Sequence, residues 1–274
     1  MQEKLIIFDD EKCTRCDICV AACPAQIIVR EEGEAPHVPK ASSSMCRRCG
    51  HCEVYCPAGA VSSTYSGNYP PKDASLAFIE PGTLKNHLFT RRTTRLFKDK
   101  SVDRNTVEEI METVRFAPSA SNRQPLKWIM IEGREKVTAF SKKVTDWMAK
   151  KAEEEPDHPY AGLFGKAGLE LEKGNDIISR NASNIVIAIV PKTNPLARTD
   201  SAIALTWFEI LSQSFGIGTC WLGLAKMAME SDPSILGSYD VPVGYVIGDA
   251  MSFGYPKHRI YRMPKRKTPD IKWL

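Results

Sequence analysis

The spacing of apolar positions changes along the chain, and the changes mark out its elements. Ile27, Ile28 and Val29 read as a short strand, followed by a turn at Glu32-Gly33. Between Tyr65 and Pro81 the pattern lapses, and Ser66-Gly67-Asn68-Tyr69-Pro70-Pro71 breaks any regular element. Residues 74–80 read as a short connecting element. Beyond them Val107, Ile110, Met111 and Val114 recur at helical spacing behind Asp103, a predicted N-cap. Residues 127–132 predict a strand and 135–151 a helix. Residues 184–190 form a continuous apolar strand bounded by Pro191. Residues 199–215 predict a long, largely apolar helix stopped by Gly216 and Gly218, with strands at 219–222 and 244–250. Helices alternating with apolar strands predict a layered α+β domain around a buried sheet. Residues 153–174, rich in charge and glycine, read as a mobile excursion, either a lid or a surface loop.

A chain of 274 residues exceeds what one core usually organises, so two domains are expected: residues 1–66, a linker at 67–83, and residues 84–274. With 43% hydrophobic and 26% charged residues it has an ordinary soluble composition, and no apolar run is long enough to span a bilayer. The N-terminus shows no signal-peptide pattern, so a cytoplasmic protein without membrane attachment is expected. The net charge of +4 gives no basic stripe of the kind that nucleic acid requires. Basic residues cluster at 91–100 and 257–267, which by themselves describe solvated faces.

Nine cysteines in such a chain argue against a disulfide framework. Eight sit in two runs, Cys13-x2-Cys16-x2-Cys19-x3-Cys23-Pro24 and Cys46-x2-Cys49-x2-Cys52-x3-Cys56-Pro57. An offset of 33 residues lands every cysteine on a cysteine, and Arg15, Pro24 and Ala25 on Arg48, Pro57 and Ala58. Three cysteines two residues apart can turn their sulfurs from one tight loop onto three irons of a cubane. Zinc has no reason to prefer a third cysteine at this spacing, twice over. Residues 1–66 resemble the bacterial ferredoxins that carry two [4Fe–4S] clusters. In that family the cysteine before the proline ligates the other cluster. The resemblance implies one cluster on Cys13, Cys16, Cys19 and Cys56, and a second on Cys46, Cys49, Cys52 and Cys23. Cys220, in Gly218-Thr219-Cys220-Trp221, stands apart and reads as a buried strand residue.

The remainder has no GxGxxG after a strand, no P-loop and no HExxH. It does carry Arg91-Arg92-Thr93-Thr94-Arg95-Leu96-Phe97 before a helix and Pro118-Ser119-Ala120-Ser121-Asn122-Arg123-Gln124-Pro125 after it. Trp221-Leu222-Gly223 closes a strand, and Tyr261-Arg262-Met263-Pro264-Lys265-Arg266-Lys267 is irregular and basic. In this order the four segments resemble the FMN-dependent nitroreductases, from about Leu84 to the end. The resemblance implies a central sheet flanked by helices and a homodimer with FMN at the subunit interface. Arg91, Arg92, Thr93 and Arg95 would hold the phosphate and polar chain, using forked guanidinium donors and a hydroxyl. Pro118, Ser119, Ala120 and Asn122 would line the ring edge, with Asn175 against the flavin. Trp221, Leu222 and Gly223 would face its N5 side, and Arg262 and Lys265 would reach the phosphate. The tail after Pro256 resembles an arm that wraps a partner subunit. The helix at 199–215 suits an interface or an ordinary core equally. Leu126 and Lys127 displace the aromatic that family members carry after the Gln-Pro pair, so Trp128 reads as a core residue.

The two resemblances together imply an iron–sulfur flavoprotein oxidoreductase. Single electrons would pass through two [4Fe–4S] clusters to FMN, and from it to a nitroaromatic, quinone or activated alkene, with no side chain as obligatory acid or nucleophile. The donor would be a reduced ferredoxin or NAD(P)H. Alternatives are an electron-transfer component serving a partner protein, and a specialised reductase or dehalogenase of the same fold.

Overall fold

A computed structural model of the chain describes residues 5–65 and 79–274. Most of the expected connecting element at 74–80 lies outside these residues. The chain divides into two compact units, Met1–Phe78 with Ser121–Arg123, and Ile79–Ala120 with Gln124–Leu274.

The first unit contains β1 (Ile6–Phe8), α1 (Ile18–Ala22), a 3-10 turn (Lys40–Met45), α2 (His51–Val54) and β2 (Val61–Ser63). β1 and β2 pair antiparallel, Ile6 opposite Ser63 and Phe8 opposite Val61. The expected strand at Ile27–Val29 is reduced to a single bridge, Val29 to His37, closed by the turn around Gly33 at φ +82°. The core is small: Ile6, Ile27, Ile28 and Val61 pack with Cys19 and Cys52. So few large apolar groups suit a unit whose fold is completed by metal–thiolate bonds.

The second unit runs α3 (Pro81–Thr90), α4 (Arg104–Val114), β3 (Lys127–Glu132), α5 (Arg134–Glu154), α6 (Ala161–Glu172), β4 (Asn184–Pro191), α7 (Ala197–Ser214), β5 (Gly218–Trp221), α8 (Gly223–Ser231) and β6 (Tyr245–Gly254). The sheet order is β3-β4-β6-β5, antiparallel throughout. β4 is apolar on both faces because it is covered on both. Ile185, Ile187 and Ile189 meet Val137, Phe140, Val144 and Met148 of α5. Val186 and Ala188 meet Ile110 of α4 and Leu205 and Phe208 of α7. This three-layer arrangement is the expected helix-flanked sheet. β6 carries a bulge opposite Ala188 and Ile189, where α7 presses on Gly248. A Cβ there would stand 2.7 Å from the Ser201 hydroxyl oxygen.

Asp103 caps α4 as expected, accepting the Asn105 N–H at 2.9 Å. Cys220 is buried in β5, and Trp128 packs partly buried against the α4–α7 core. Other elements of the second unit depart from the sequence reading as well. Residues 153–174 are not an excursion. They end α5 and form α6, whose Phe164 and Ala167 are fully buried against the core. α3 was unforeseen, although its signals are present. The Glu80 carboxylate caps it by accepting the Gly82 and Thr83 N–H groups at 2.8 Å each, and Pro81 occupies its first turn.

Candidate functional site

The duplication in the cysteine sequence extends to the backbone. Arg15 and Arg48, Asp17 and Gly50, Gln26 and Gly59 all adopt positive φ, each pair at the same offset as the cysteines. Left-handed backbone at non-glycine residues is uncommon and is kept where the surroundings enforce it. Here it bends each loop around its own sulfurs. The Arg15 N–H points at Cys13 Sγ and the Arg48 N–H at Cys46 Sγ, both at 3.4 Å. The Ala60 N–H reaches Cys56 Sγ at 3.2 Å.

Cys46, Cys49 and Cys52 open onto a common space together with Cys23 from the other repeat. That is the membership a crossed ligand set requires, and the soft donors suit iron–sulfur corners. The walls of this space include Ile6, Ile27, Ile28 and Tyr65. Burial pushes the Cys52 thiol up to about 11 and the Tyr65 phenol up to about 12. The exposed Cys16 is instead held below its ordinary value by the Ile18 N–H and the Thr14 hydroxyl.

In the second unit, α3 is pinned to α7. His87 Nε2 donates to the Ile210 carbonyl at 2.8 Å, and Gln213 Nε2 donates to the His87 carbonyl at 2.8 Å. The chain then leaves α3 at Arg91 and is stitched on both sides. The Thr94 N–H donates to the Thr219 carbonyl of β5 at 2.8 Å. Lys98 N–H and Tyr255 carbonyl, then Lys257 N–H and Leu96 carbonyl, join it to the stretch after β6 at 2.8 and 2.9 Å. This stitched segment walls a cleft of about 810 Å³. Arg91, Arg92, Thr93 and Arg95 all line it, with Lys98, Glu209, Lys257, His258 and Arg259.

Six Lys and Arg side chains thus face a single carboxylate, Glu209. Glu209 is buried on α7, and its Oε1 accepts from Arg91 Nη1 and from the Thr219 hydroxyl, both at 3.0 Å. Arg91 is thereby fixed in direction. Arg92 donates to the Arg91 carbonyl. Its guanidinium is pushed down from the usual arginine value, first by partial burial and then by Arg266 and Arg91. A cleft lined by six cations, of which Arg91 and Arg92 are partly buried, favours a polyanion such as a phosphate monoester.

The remaining predicted residues fall elsewhere. Ser119 and Ala120 lie between α4 and β3. There the Ser119 hydroxyl accepts the Gln124 N–H at 3.0 Å, and Asp200 Oδ1 accepts the Ala120 N–H at 2.9 Å. Pro118 precedes them, and Asn122, at φ 51°, belongs to the stretch grouped with the first unit. Trp221 ends β5, Leu222 is buried in the α5 core, and Gly223 opens α8. Asn175 is exposed after α6, its amide donating to Glu170 Oε2 at 2.8 Å. Arg262 and Lys265 are exposed in the tail, and Lys257, His258 and Arg259 take the places on the cleft wall.

Glu209, Asp200 and the 257–259 run were missed in the sequence. Glu209 and Asp200 did leave a signal: both are acids on the apolar face of a predicted helix, where an unpaired charge would be costly.

A duplicated thiolate scaffold joined to a three-layer unit with a phosphate-type cleft defines an iron–sulfur oxidoreductase. Residues 88–255 match the Nitroreductase family and residues 12–66 a 4Fe-4S dicluster domain. The chain belongs to the nitroreductase family. A protein of Archaeoglobus fulgidus, provisionally named an NADH dehydrogenase/NAD(P)H nitroreductase, is 26% identical over 191 residues, covering 67% of this chain and 92% of that protein. The fold is shared with a nitroreductase with bound FMN from Bacteroides fragilis (TM-score 0.58, 19% identity, 70% of this chain and 98% of that one). It is shared too with one from Desulfitobacterium hafniense, also with bound FMN (TM-score 0.56, 18% identity, 72% and 100%). A BluB-like flavoprotein from Clostridium difficile has the same fold (TM-score 0.55, 19% identity, 71% and 100%).

Proposed function

We propose that the chain is an FMN-dependent oxidoreductase that draws single electrons through its own pair of [4Fe–4S] clusters and reduces an electron-poor small molecule. Nitroaromatics, quinones and activated alkenes are the acceptor classes. The observation that carries this reading is the cation-lined cleft built on Arg91, Arg92, Thr93 and Arg95. FMN, when bound, supplies the hydride or electron chemistry. The chain binds, orients and shields.

Glu209 aims Arg91, leaving its remaining donors for a phosphate oxygen, and Arg92, Arg95, Lys257 and Arg259 add charge around it. Pro118, Ser119, Ala120 and Asn122 are assigned to the ring edge, and Trp221, Leu222 and Gly223 to its N5 side. Asn175, Arg262 and Lys265 are assigned to the same ligand on the family pattern alone. The active form is a homodimer in the cytoplasm, with reduced ferredoxin or NAD(P)H as donor. Among the described residues no helix is long and apolar enough to cross a membrane.

The test is anaerobic purification with iron, sulfide and FMN quantified, then turnover of a nitroaromatic and a quinone with each donor. Two cubanes correspond to about eight irons per chain. Stoichiometric FMN and turnover without added protein are expected. Failure to retain added FMN defeats the proposal, and turnover only with a second protein replaces it with the electron-transfer alternative.

A further inference from the structure

The two cluster loops are copies in sequence and in backbone, so the positions at which the copies differ are informative. Asp17 stands where the second repeat has Gly50. Its carboxylate is engaged by Arg30 through bonds of 2.5 and 2.7 Å. Exposed Glu32 stands where the second repeat has Tyr65. Tyr65 folds back over its loop. Its phenol oxygen accepts the Gly50 N–H at 3.2 Å, and its ring joins Ile6, Ile27 and Ile28 around the space shared by Cys23, Cys46, Cys49 and Cys52. Cys16 is exposed, whereas its copy Cys49 is partly covered.

Backbone donors differ as well. Arg15 to Cys13 and Arg48 to Cys46 are matched bonds, one per loop. Cys56 gains a further N–H from Ala60 at 3.2 Å, and among the described residues Ile27 makes no matching bond to Cys23. Cys56 belongs by the crossed pattern with Cys13, Cys16 and Cys19. Reduction adds negative charge to a cluster that is already anionic. Water and N–H donors stabilise that charge, and an apolar wall does not. Both differences therefore act in one direction. Arg47 and His51, where the first repeat has Thr14 and Ile18, also border that space and oppose this direction, but both are exposed and screened by water, as is Glu32, and the Asp17–Arg30 pair largely cancels itself.

Given that the eight cysteines carry two [4Fe–4S] clusters, we infer that the two sites are unequal in reduction potential. The site on Cys46, Cys49, Cys52 and Cys23 is the harder to reduce, and Tyr65 is the positioning residue that keeps it dry. The first electron to enter rests on the Cys13 site.

The test is a potentiometric titration of the anaerobically purified full chain, followed by EPR. Two one-electron waves are expected, with at least a tenfold preference of the first electron for one site, about 59 mV. Tyr65→Ser, which admits water, moves the lower wave up and leaves the upper one in place. Tyr65→Phe, which keeps the ring, leaves both in place. A single wave in the native chain, or a Tyr65→Ser shift confined to the upper wave, overturns the inference. Should Tyr65→Ser lose iron, proton ENDOR of the native chain after exchange into D2O decides. Stronger exchangeable couplings belong to the cluster reduced first, and the reverse order sinks the idea. A native chain with clearly fewer than about eight irons fails the underlying cluster reading instead.

Discussion

Gly218 shows how much of the cleft depends on a missing methyl group. A Cβ at this position would stand 2.1 Å from Thr94 Oγ1, 2.8 Å from Thr94 Cβ and 2.9 Å from Pro256 Cγ. The segment around Thr94 and the chain after β6 are both drawn against β5 there. Gly218→Ala is therefore expected to cost about 1–3 kcal/mol, as overpacking does. It should also weaken FMN affinity, because relief requires Thr94 or Pro256 to move off the cleft wall. Thermal unfolding and flavin titration check both effects, and an unchanged flavin affinity would show that the segment is not positioned by this contact. The sequence offers Gly218 only as a helix stop, since the crowding comes from residues distant along the chain. Arg91, Arg92, Thr93 and Arg95, which line one cleft, could be grouped from the sequence because their spacing is local. Glu209 was not assigned, because its partners Arg91 and Thr219 are brought together only by the fold.

At the scale of elements, α6 tests what composition conceals. Four glycines and several charges made 153–174 read as a loop, yet Phe164 and Ala167 lie one turn apart and both are fully buried. Two apolar contacts at that spacing suffice to hold a helix against α5, where Phe164 also meets the Trp147 ring at 5.8 Å. Phe164→Ala is expected to cost about 3–5 kcal/mol. The melting temperature should fall by roughly 2–4 °C for each kcal/mol in a unit of this size. A closing flap would show little loss of stability and a marked change in substrate affinity, so calorimetry beside steady-state kinetics separates the two roles. The strands of the second unit and α4, α5 and α7 were legible from their apolar patterns. α1 and α2 are too short to leave a period, and the strand at Ile27–Val29 dwindled to one bridge because the hairpin is pinned by a turn rather than by a ladder.

At the scale of the whole molecule, the nine cysteines fall into two chemical classes. Eight lie in the paired runs, and Cys220 is buried in β5 at 6% exposure. Removal of iron by a chelator under anaerobic conditions should expose eight thiols to rapid modification while Cys220 stays protected, as counted by mass spectrometry of the labelled chain. Rapid labelling of Cys220 would mean that the second unit loosens when the clusters are lost. The layered class of the second unit was readable from alternating helices and apolar strands. The sheet order was not: β5 lies outside β6 although it precedes it in the chain, a choice set by how α7 and α8 pack on opposite faces.

The stitched cleft has a consequence for biogenesis. Its walls come from Thr90–Lys98 at the start of the second unit and from Pro256–Ile260 near the carboxyl end. A ribosome must therefore release Pro256–Ile260 before the cleft is complete, so its two walls cannot meet while the second unit is still being made. On the proposed function, flavin loading follows synthesis of the second unit, whereas every cysteine of the paired runs emerges before that unit begins.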